Sequence, residues 1–390
     1  MGRVLISLVG GRTVPNVLLA LHFKPDHLYF IVSQDSMRPG GDYEKTCAAL
    51  PTELNVHPEE VVRPYALQET VTACQKILAN HRADEVIINT TLGPKTMAFG
   101  AYDVAKEMRL SHVAVDLCYL SQDGLVWVFK DEIEPVQLKL KDYFASYGRD
   151  VEWKTDAPAK LHAFSMLMVE RSPISQRLLS KLRSQTQNHP RDQRKFSIKD
   201  QLLDDEYQLF QEIEDLQIVN GVTRENQSLH WRATSTEDVD FLLEGDWLEY
   251  YVYHTAMQLK GPKGTPLFDE YGWGVKDVSG KGEIDFVGVF SGQAVLISCK
   301  TRDIKRTDFE ELYGHAEQLG KGMSSTLLVS TVSRSSRSQK DLDEYQKWSR
   351  ERQIVLVMAE DIPRLGDILK KIVSGDAKAE PREIPYYARI

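Results

Sequence analysis

Two short segments place an acid and a lysine where both could act on one substrate atom. In Glu283-Ile284-Asp285 the two carboxylates share a strand face, because side chains alternate along a strand. In Ser298-Cys299-Lys300 the hydroxyl and the ammonium share a face by the same rule. The connection Ser291-Gly292-Gln293 has the length of a β-hairpin turn, which predicts that Asp285 and Lys300 lie side by side.

This pairing is suited to phosphodiester hydrolysis. A carboxylate such as Asp285 can hold a divalent metal that polarises the phosphate and activates water. An ammonium such as Lys300 orients that water and offsets the negative charge that develops during the reaction. The available ligands are hard oxygens, so we expect Mg²⁺ or Mn²⁺. The alternative is that both residues are ordinary exposed charges at strand ends.

Two loops near the N-terminus are suited to binding phosphates. The segment from Gly10 to Asn16 follows an apolar strand, and the segment from Thr90 to Lys95 follows a second one. In doubly wound sheets ligands bind at the carboxyl ends of the strands. Glycines let the backbone approach a phosphate, and helix N-termini add N–H donors.

Two rival nucleotide sites fit the first loop less well. It lacks the GxGxxG spacing of dinucleotide folds, and Pro15 removes one N–H donor. A GxxxxGK[ST] phosphate loop is also missing from the sequence, which argues against an NTPase. Asp35, near the end of the second predicted strand, could hold a ribose, so a dinucleotide-dependent enzyme stays open as an alternative.

The predicted elements divide the chain into three domains of an α/β protein. Residues 1–155 alternate strand and helix, which predicts a Rossmann-like parallel sheet covered on both faces. Residues 156–235 carry apolar residues at helical spacing and a possible β-wing, which favours a small winged-helix-like connector. Residues 236–390 read as α-β-β-β-α-β, with helices expected over 238–259 and 307–319.

Composition narrows the partners. A chain of 390 residues is long enough for two or three domains, and its net charge of −9 gives no overall attraction to nucleic acid. A polyanion site must therefore be a local basic patch or a metal site. The four scattered cysteines argue against a zinc cluster or disulfides, and the first apolar run is too short for a membrane span. We expect a cytoplasmic protein without a membrane partner.

The acid–lysine pair within this order of elements resembles the PD-(D/E)xK nuclease superfamily, over residues 237–358. The resemblance implies that Asp285 binds the metal and that Lys300 is the superfamily's lysine. It also implies Glu249 as a metal-binding carboxylate on the preceding helix and the Cys299 carbonyl as a backbone ligand. Gln318, on the next helix, resembles a polar residue that often faces the site.

One position departs from the superfamily pattern. The acid that usually stands two residues before the lysine is Ser298 in this chain. A hydroxyl is a poorer Mg²⁺ ligand than a carboxylate. Glu283 or Glu249 would then supply the missing charge.

The segment Asn89-Thr90-Thr91-Leu92-Gly93-Pro94-Lys95 resembles the signature loop of CRISPR-associated Rossmann-fold (CARF) sensors, which bind cyclic oligoadenylates. The usual Gly-Gly-Thr-Lys is Leu-Gly-Pro-Lys here. The resemblance implies that both N-terminal loops contact the ligand. The implied contact residues are Gly10, Gly11, Arg12, Thr13, Asn89, Thr90, Thr91, Gly93 and Lys95.

Together the two ends of the chain resemble the ancillary nucleases of type III CRISPR systems. That resemblance implies an endonuclease, activated by cyclic tetra-adenylate, that degrades DNA or RNA in antiviral defence. A ligand with internal two-fold symmetry further implies a homodimer. The alternative is a ligand-sensing regulator whose nuclease domain is inactive because of Ser298, and whose connector binds nucleic acid.

Overall fold

The structure is a computed structural model that describes residues 2–121, 124–155, 159–186, 194–261, 264–280, 282–319 and 324–374. Within these ranges the chain forms a seven-stranded sheet, a three-stranded sheet and a six-stranded sheet. Among the described helices, none combines the length and apolarity needed to span a bilayer.

The strands are numbered in chain order. They are β1 (Arg3–Leu8), β2 (His27–Ser33), β3 (Glu60–Val62), β4 (Glu85–Asn89), β5 (Val115–Ser121), β6 (Gly124–Trp127), β7 (Glu132–Glu134), β8 (Val151–Lys154), β9 (Lys195–Lys199), β10 (Val219–Glu225), β11 (Ser228–Ala233), β12 (Glu270–Asp277), β13 (Glu283–Phe290), β14 (Gln293–Lys300), β15 (Ser324–Ser330) and β16 (Ile354–Val357).

The helices follow the same numbering. They are α1 (Val14–Phe23), α2 (Asp42–Ala49), α3 (Leu67–Ala79), α4 (Lys95–Leu110), α5 (Leu140–Ala145), α6 (Ala159–Glu170), α7 (Ile174–Thr186), α8 (Asp204–Asp215), α9 (Thr236–Val239), α10 (Asp246–Gln258), α11 (Arg306–Gln318), α12 (Gln339–Arg352) and α13 (Leu365–Val373). A π-helical turn spans Asp240–Glu244, and 3₁₀ turns span Arg334–Ser336 and Ala359–Arg364.

The N-terminal domain is a Rossmann-like sheet in the order β3-β2-β1-β4-β5-β6-β7. Strands β1 to β5 pair in parallel, and β6 and β7 add an antiparallel edge. Five of the six residues of β1 are buried, as expected for a parallel strand covered on both faces. The parallel-sheet prediction for this part of the chain is therefore confirmed.

The connector combines helices α6 to α8 with an antiparallel sheet in the order β10-β11-β9. The predicted wing corresponds to the β10–β11 hairpin. A third strand, β9, pairs with β11, and Phe196 of β9 stacks on Trp231 with ring centroids 4.1 Å apart. The connector thus has its own apolar centre and is more than a helical linker.

The C-terminal sheet has the order β16-β15-β14-β13-β12-β8. Its last strand, β8, lies inside the predicted sensor domain 1–155 but pairs antiparallel with β12. The buried ion pair of Arg149 with Asp277, 2.7 Å long, fixes this crossing. Pairing covers the otherwise open edge of β12, which explains why residues 151–154 leave the first domain.

Two local predictions needed correction. The helix expected over 238–259 is interrupted at Gly245, whose φ of 107° favours glycine and where any side chain would overlap the Thr301 hydroxyl. The helix expected over 307–319 begins one residue earlier, at Arg306, where the Asp308 carboxylate accepts the Lys305 N–H at 2.7 Å.

One apolar core extends from the N-terminal domain into the C-terminal domain. It contains buried residues of α1 and α5 together with buried residues of β13, β14 and α11. The β13–β14 turn sits on the sensor, because a Cβ at Gly292 would lie 3.2 Å from Leu120 and 3.4 Å from Leu18. The Tyr143 hydroxyl of α5 also donates a 2.9 Å hydrogen bond to the Leu319 carbonyl at the end of α11.

Candidate functional site

The β13–β14 hairpin brings the predicted acid and lysine together. Asp285 lies opposite Ser298, and the Lys300 Nζ is 3.6 Å from Asp285 Oδ2. The Ser298 hydroxyl donates to the same oxygen at 3.1 Å, and the Cys299 N–H donates to it at 2.6 Å. Three donors therefore converge on Oδ2, whereas Asp285 Oδ1 has no hydrogen-bond partner among the described residues.

Glu249, the third predicted residue, reaches the same cavity from α10. The cavity has a volume of about 340 Å³. Glu249 is half-buried and makes no hydrogen bond or ion pair within the described ranges. The acids that line the cavity are Asp240, Glu244, Asp246, Glu249, Glu283, Asp285 and Glu311, and its other charged or titratable residues are Lys154, Lys276, Lys300 and His315.

This excess of acids governs proton binding in the cavity. Burial, followed by the negative charges of Asp285, Asp246 and Glu283, raises the pKa of Glu249 far above the usual carboxylate range. Burial alone would lower the pKa of Lys300, but the Asp285 carboxylate and more distant acids leave it raised. Lys300 therefore keeps its proton, and Glu249 takes one up unless a cation balances the acids.

His315 also lines the cavity, although it is not among the residues predicted from the sequence. It lies on α11 one turn beyond Glu311, and both side chains line the cavity. Burial and then the positive charge of Arg149 lower the pKa of His315, so the imidazole is neutral near pH 7. Its Nδ1 is buried without a hydrogen-bond partner in the described part of the chain. The helical spacing from Glu311 was the available signal.

Three other residues predicted for the site, Gln318, Cys299 and Glu283, do not contribute to the cavity as expected. Gln318, at the end of α11, is exposed and does not line the cavity. The Cys299 thiol is buried away from the cavity, and its backbone contacts the site through the N–H that binds Asp285. Glu283 lines the cavity but is exposed and pairs with Lys276 at 3.4 Å.

The donor atoms suit a hard cation. As they stand, no three or more His, Cys, Asp or Glu side chains in the described residues are drawn together as a metal centre. However, Asp285 Oδ1 lacks a partner and Glu249 has neither hydrogen bond nor ion pair within the same ranges. Oxygen donors in a cavity with surplus negative charge match Mg²⁺ or Mn²⁺. Asp285 and Glu249 would hold such an ion.

At the sensor end, Asn89 organises the second loop from inside the protein. Its side chain is fully buried and donates to Asn16 Oδ1 at 2.9 Å and to the Ser7 hydroxyl at 3.3 Å. Its Oδ1 accepts the Thr91 N–H at 2.9 Å and the Thr91 hydroxyl at 2.6 Å. Since α4 begins at Lys95, Asn89 shapes the loop and does not cap the helix.

The threonines of both loops also have internal partners. Thr91 Oγ1 accepts the Leu120 N–H at 2.9 Å, and the Thr90 hydroxyl donates to the Cys118 carbonyl at 3.0 Å. Thr13 is buried at the start of α1, where its carbonyl accepts the N–H of Asn16. These contacts tie the loops to the first, fourth and fifth strands, and they leave the exposed backbone and cations to meet a ligand.

The two loops touch each other through glycines. A Cβ at Gly10 would lie 2.5 Å from the main-chain nitrogen of Gly93, whose φ is 83°. Gly11, Arg12 and Lys95 are exposed beside this contact. The result is a main-chain surface flanked by a guanidinium and an ammonium at the carboxyl edge of a parallel sheet. That combination is suited to binding phosphates.

The fold and these two sites define a three-domain α/β protein with an N-terminal parallel sheet, whose loops are suited to phosphates, and a C-terminal carboxylate–lysine cavity. Residues 4–140 match the family described as the Card1 CARF domain. The match covers the N-terminal sheet from β1 to β7. A search of curated proteins found no match.

Solved structures share the fold over most of the chain. Protein VC1899 from Vibrio cholerae aligns with a TM-score of 0.73 at 17% identity, over 95% of this chain and 98% of that chain. Can2 from Sulfobacillus thermosulfidooxidans, solved in complex with cyclic tetra-adenylate, aligns with a TM-score of 0.67 at 18% identity, over 95% and 97%.

A third structure is similar over a smaller share of its own length. It is a type III CRISPR defence DNA nuclease activated by cyclic oligoadenylate, with a TM-score of 0.52 at 19% identity. The alignment covers 85% of this chain and 45% of that chain. At these identities the similarities show a common fold, and they extend from the sensor sheet through the C-terminal sheet.

Proposed function

We propose that the chain is a metal-dependent endonuclease that cyclic tetra-adenylate activates. The observation that carries the proposal is the convergence of Asp285, Lys300 and Glu249 on one cavity, in a chain whose first domain matches the CARF domain. The complex of Can2 with cyclic tetra-adenylate and the nuclease activity named for the type III CRISPR structure support the same proposal.

The C-terminal domain in this proposal is a PD-(D/E)xK nuclease. Its helix, three antiparallel strands, helix and further strands have that superfamily's order. Asp285, Glu249 and the Cys299 carbonyl would hold Mg²⁺ or Mn²⁺, which polarises the phosphate and lowers the pKa of a bound water. Lys300, charged because of Asp285, donates to the phosphate and to the attacking water.

The remaining residues of the cavity position this pair. Ser298 and the Cys299 N–H hold Asp285 Oδ2, so that Oδ1 stays available. Ser298 therefore supports the essential acid through a hydrogen bond, where the superfamily usually has a second acid. Glu283 adds negative charge from the exposed rim.

In the sensor, Arg12 and Lys95 contact the phosphates of the ring and the glycine backbone lets it approach. Gly10, Gly11 and Gly93 supply that backbone, while Thr13, Asn89, Thr90 and Thr91 hold the loops in shape. A homodimer would offer both loops twice to the two-fold symmetric ligand. Tyr65, which is 81% exposed, lies just before α3, and Phe99, which is 59% exposed, lies near the start of α4. These exposed aromatic rings beside the second loop support a dimer there.

Activation requires that the ligand binds the cutting-competent state more tightly than the idle state. The three domains of the proposal are a sensor over 1–155, a connector over 156–235 and a nuclease over 236–390. The protein would act in the cytoplasm, in type III CRISPR antiviral defence, on DNA, on RNA or on both.

The test is a cleavage assay with the full chain. Plasmid, single-stranded DNA and RNA are each incubated with protein and Mn²⁺, with and without cyclic tetra-adenylate. Ligand-dependent cleavage that Lys300→Ala abolishes supports the proposal. The proposal fails if cleavage is missing with every substrate, or if it persists in Lys300→Ala.

A second candidate function is a regulator that senses the ligand and binds nucleic acid without cutting it. Ser298 in place of an acid, and the lack of a drawn-together metal centre in the described residues, favour this candidate. Ligand-enhanced binding in the same assay, without products, would select it.

A further inference from the structure

A basic groove of about 630 Å³ lies beside the candidate active site. One wall is helix α7 of the connector, and the other is the loop that follows β14 together with the 3₁₀ turn before α12. The cations that line it are Arg177, Lys181, Arg183, Arg302, Lys305 and Arg337. In a chain with a net charge of −9, this concentration of positive charge calls for a partner of opposite sign.

The two walls are fastened to each other by Arg183. Its guanidinium donates to the Thr301 carbonyl at 2.6 Å and to the Thr301 hydroxyl at 2.8 Å, and it also bonds the Leu243 carbonyl. Burial lowers the pKa of Arg183 to about 10, which still leaves it charged at neutral pH. Because Thr301 follows Lys300 directly, α7 is fixed to the backbone of the proposed catalytic lysine.

The acids that balance these cations lie mostly behind the groove walls. Arg177 pairs with Asp205 at 2.6 Å and Arg302 pairs with Asp308 at 2.6 Å, and neither acid lines the groove. Arg337 pairs with Asp303, an acid that itself lines the groove. Lys305 has no ion pair in the described part of the chain. The groove surface therefore presents N–H donors whose positions are held from behind.

A cavity of about 590 Å³ lies between the groove and the active site. That cavity shares Arg183, Thr301 and Arg302 with the groove, and it shares Asp285 and Lys300 with the acidic cavity. The charge thus changes along one path, from mainly acidic at Glu249 to mainly basic at α7. A polyanion is repelled from the first end and attracted at the second.

We propose that this groove binds the phosphate backbone of the strand that is to be cut, so that α7 of the connector forms part of the substrate site. The inference rests on the proposed nuclease function and adds the path of its substrate. Guanidinium, ammonium and hydroxyl groups line the groove, and such groups donate to phosphate and sugar oxygens. Contacts to the backbone carry no sequence information, so we expect binding along the groove to be independent of sequence.

The test uses Ser180→Glu, which places an acid on the groove face of α7. Ser180 is exposed and lines the groove, and glutamate suits a helix better than serine. Gln208→Glu is the matched control, because it adds the same charge to an exposed position of the neighbouring connector helix α8 that does not line the groove. Fluorescence anisotropy measures binding of labelled single-stranded DNA and RNA to the full chain, with EDTA and cyclic tetra-adenylate present.

We expect Ser180→Glu to weaken binding by about tenfold at low salt and Gln208→Glu by less than about twofold. A second variant, Lys305→Gln, should lower the slope of log affinity against log salt by about 1, whereas Lys347→Gln on α12 should leave it unchanged. Melting temperatures equal to that of the parent show that the variants are folded. Effects on both oligonucleotides identify the shared phosphate backbone as the ligand.

The outcomes separate the two proposals. If the parent protein binds neither oligonucleotide but cleaves them with Mn²⁺, the groove fails and the nuclease stands. If it neither binds nor cleaves them, both proposals fail. If the parent binds and cleaves, but Ser180→Glu and Lys305→Gln behave like their controls, the groove is overturned and the nuclease stands. A loss confined to one oligonucleotide would overturn the backbone as the recognised element.

Discussion

In the sensor loops, the Asn89 carboxamide directs its hydrogen-bonding atoms into the protein, where Asn16, Ser7 and Thr91 satisfy them. In the C-terminal cavity, the Glu249 carboxylate has no such partner within the described residues and is surrounded by further acids. The sensor is thus arranged by neutral hydrogen bonds with a complete set of partners. The cavity is arranged around charges that an external cation or proton must balance.

This difference predicts how strongly each site responds to pH and to ions. A network of satisfied buried hydrogen bonds is costly to break but hardly responds to pH or to ions. A cluster of half-buried carboxylates responds to both pH and ions, because protons and cations change its charge. Changes in the sensor should therefore act mainly on folding and activation, and changes in the cavity mainly on chemistry and on its dependence on pH and metal.

The largest effect is expected from Asp285→Asn. The amide keeps the shape of the side chain but removes the charge that Lys300 and a metal require, so cleavage should fall on the order of 10³-fold. Affinity for cyclic tetra-adenylate, measured by calorimetry, should stay the same. Asp103→Asn on exposed α4 is the control and should cleave normally. Equal activity in both variants would remove Asp285 from the chemistry.

The next effect is on the sensor. Asn89→Ala leaves the Thr91 N–H and Asn16 without a buried partner, which should cost about 2–3 kcal/mol of unfolding free energy. Urea denaturation measures this loss, and activation by the ligand should fall with it. Asn80→Ala, at the exposed end of α3, should change stability by less than about 0.5 kcal/mol. If the two variants unfold alike, the internal network does not hold the loop.

A smaller effect concerns pH. The pKa of Glu249 is raised in the folded chain, so the folded state binds more protons than the unfolded state between the usual carboxylate pKa and the raised one. Stability must then fall as pH rises through that window. Glu249→Gln lacks this loss and should be more stable than the parent by about 1 kcal/mol near pH 8, with no advantage near pH 5.

Mn²⁺ provides the counter-test for Glu249. A cation that binds the ionised carboxylates should raise the melting temperature of the parent near pH 8 and leave Glu249→Gln nearly unchanged. If Mn²⁺ stabilises both proteins equally, or if the variant has the same stability advantage at both pH values, Glu249 is not the titrating ligand.

The smallest effect is expected from Ser298→Ala. The variant loses the hydrogen bond that the Ser298 hydroxyl donates to the Asp285 carboxylate, while the Cys299 N–H and Lys300 remain, so cleavage should fall by roughly fivefold, or about 1 kcal/mol. Single-turnover cleavage at saturating ligand measures it. Ser325→Ala on the neighbouring strand β15 is the control. A loss as large as that of Asp285→Asn would mean that Ser298 acts on the substrate directly.

Periodicity and turn chemistry were sufficient to predict the parallel sheet, the β13–β14 hairpin and the closeness of Asp285 to Lys300. They were not sufficient where distant groups decide. Gly245 ends a helix because Thr301, far along the chain, occupies the space of a side chain. The β8 strand joins the C-terminal sheet because β12 has an open edge, which local sequence does not reveal.

The site residues divide in the same way. Asp285 and Ser298 were found because a strand and a turn fix their register, which is local information. His315 and Glu311 were missed because their role depends on which face of α11 packs against the hairpin. Asn89 was expected to meet the ligand, whereas its burial depends on Asn16 and Ser7 on separate elements.

Two contacts between the N-terminal and C-terminal domains limit domain exchange: the pairing of β8 with β12, and the packing of the Gly292 turn against the N-terminal domain. A foreign N-terminal domain joined at residue 155 would carry its own strand in place of β8, and that strand would not be matched to β12. Its surface would also lack the side chains of α1 and Leu120 that pack against the Gly292 turn. Exchange would succeed only if strand, turn and receiving surface travelled together. We therefore expect the N-terminal and C-terminal domains to be exchanged only as one unit, and a functional chimera to need its junction at some other point of the chain.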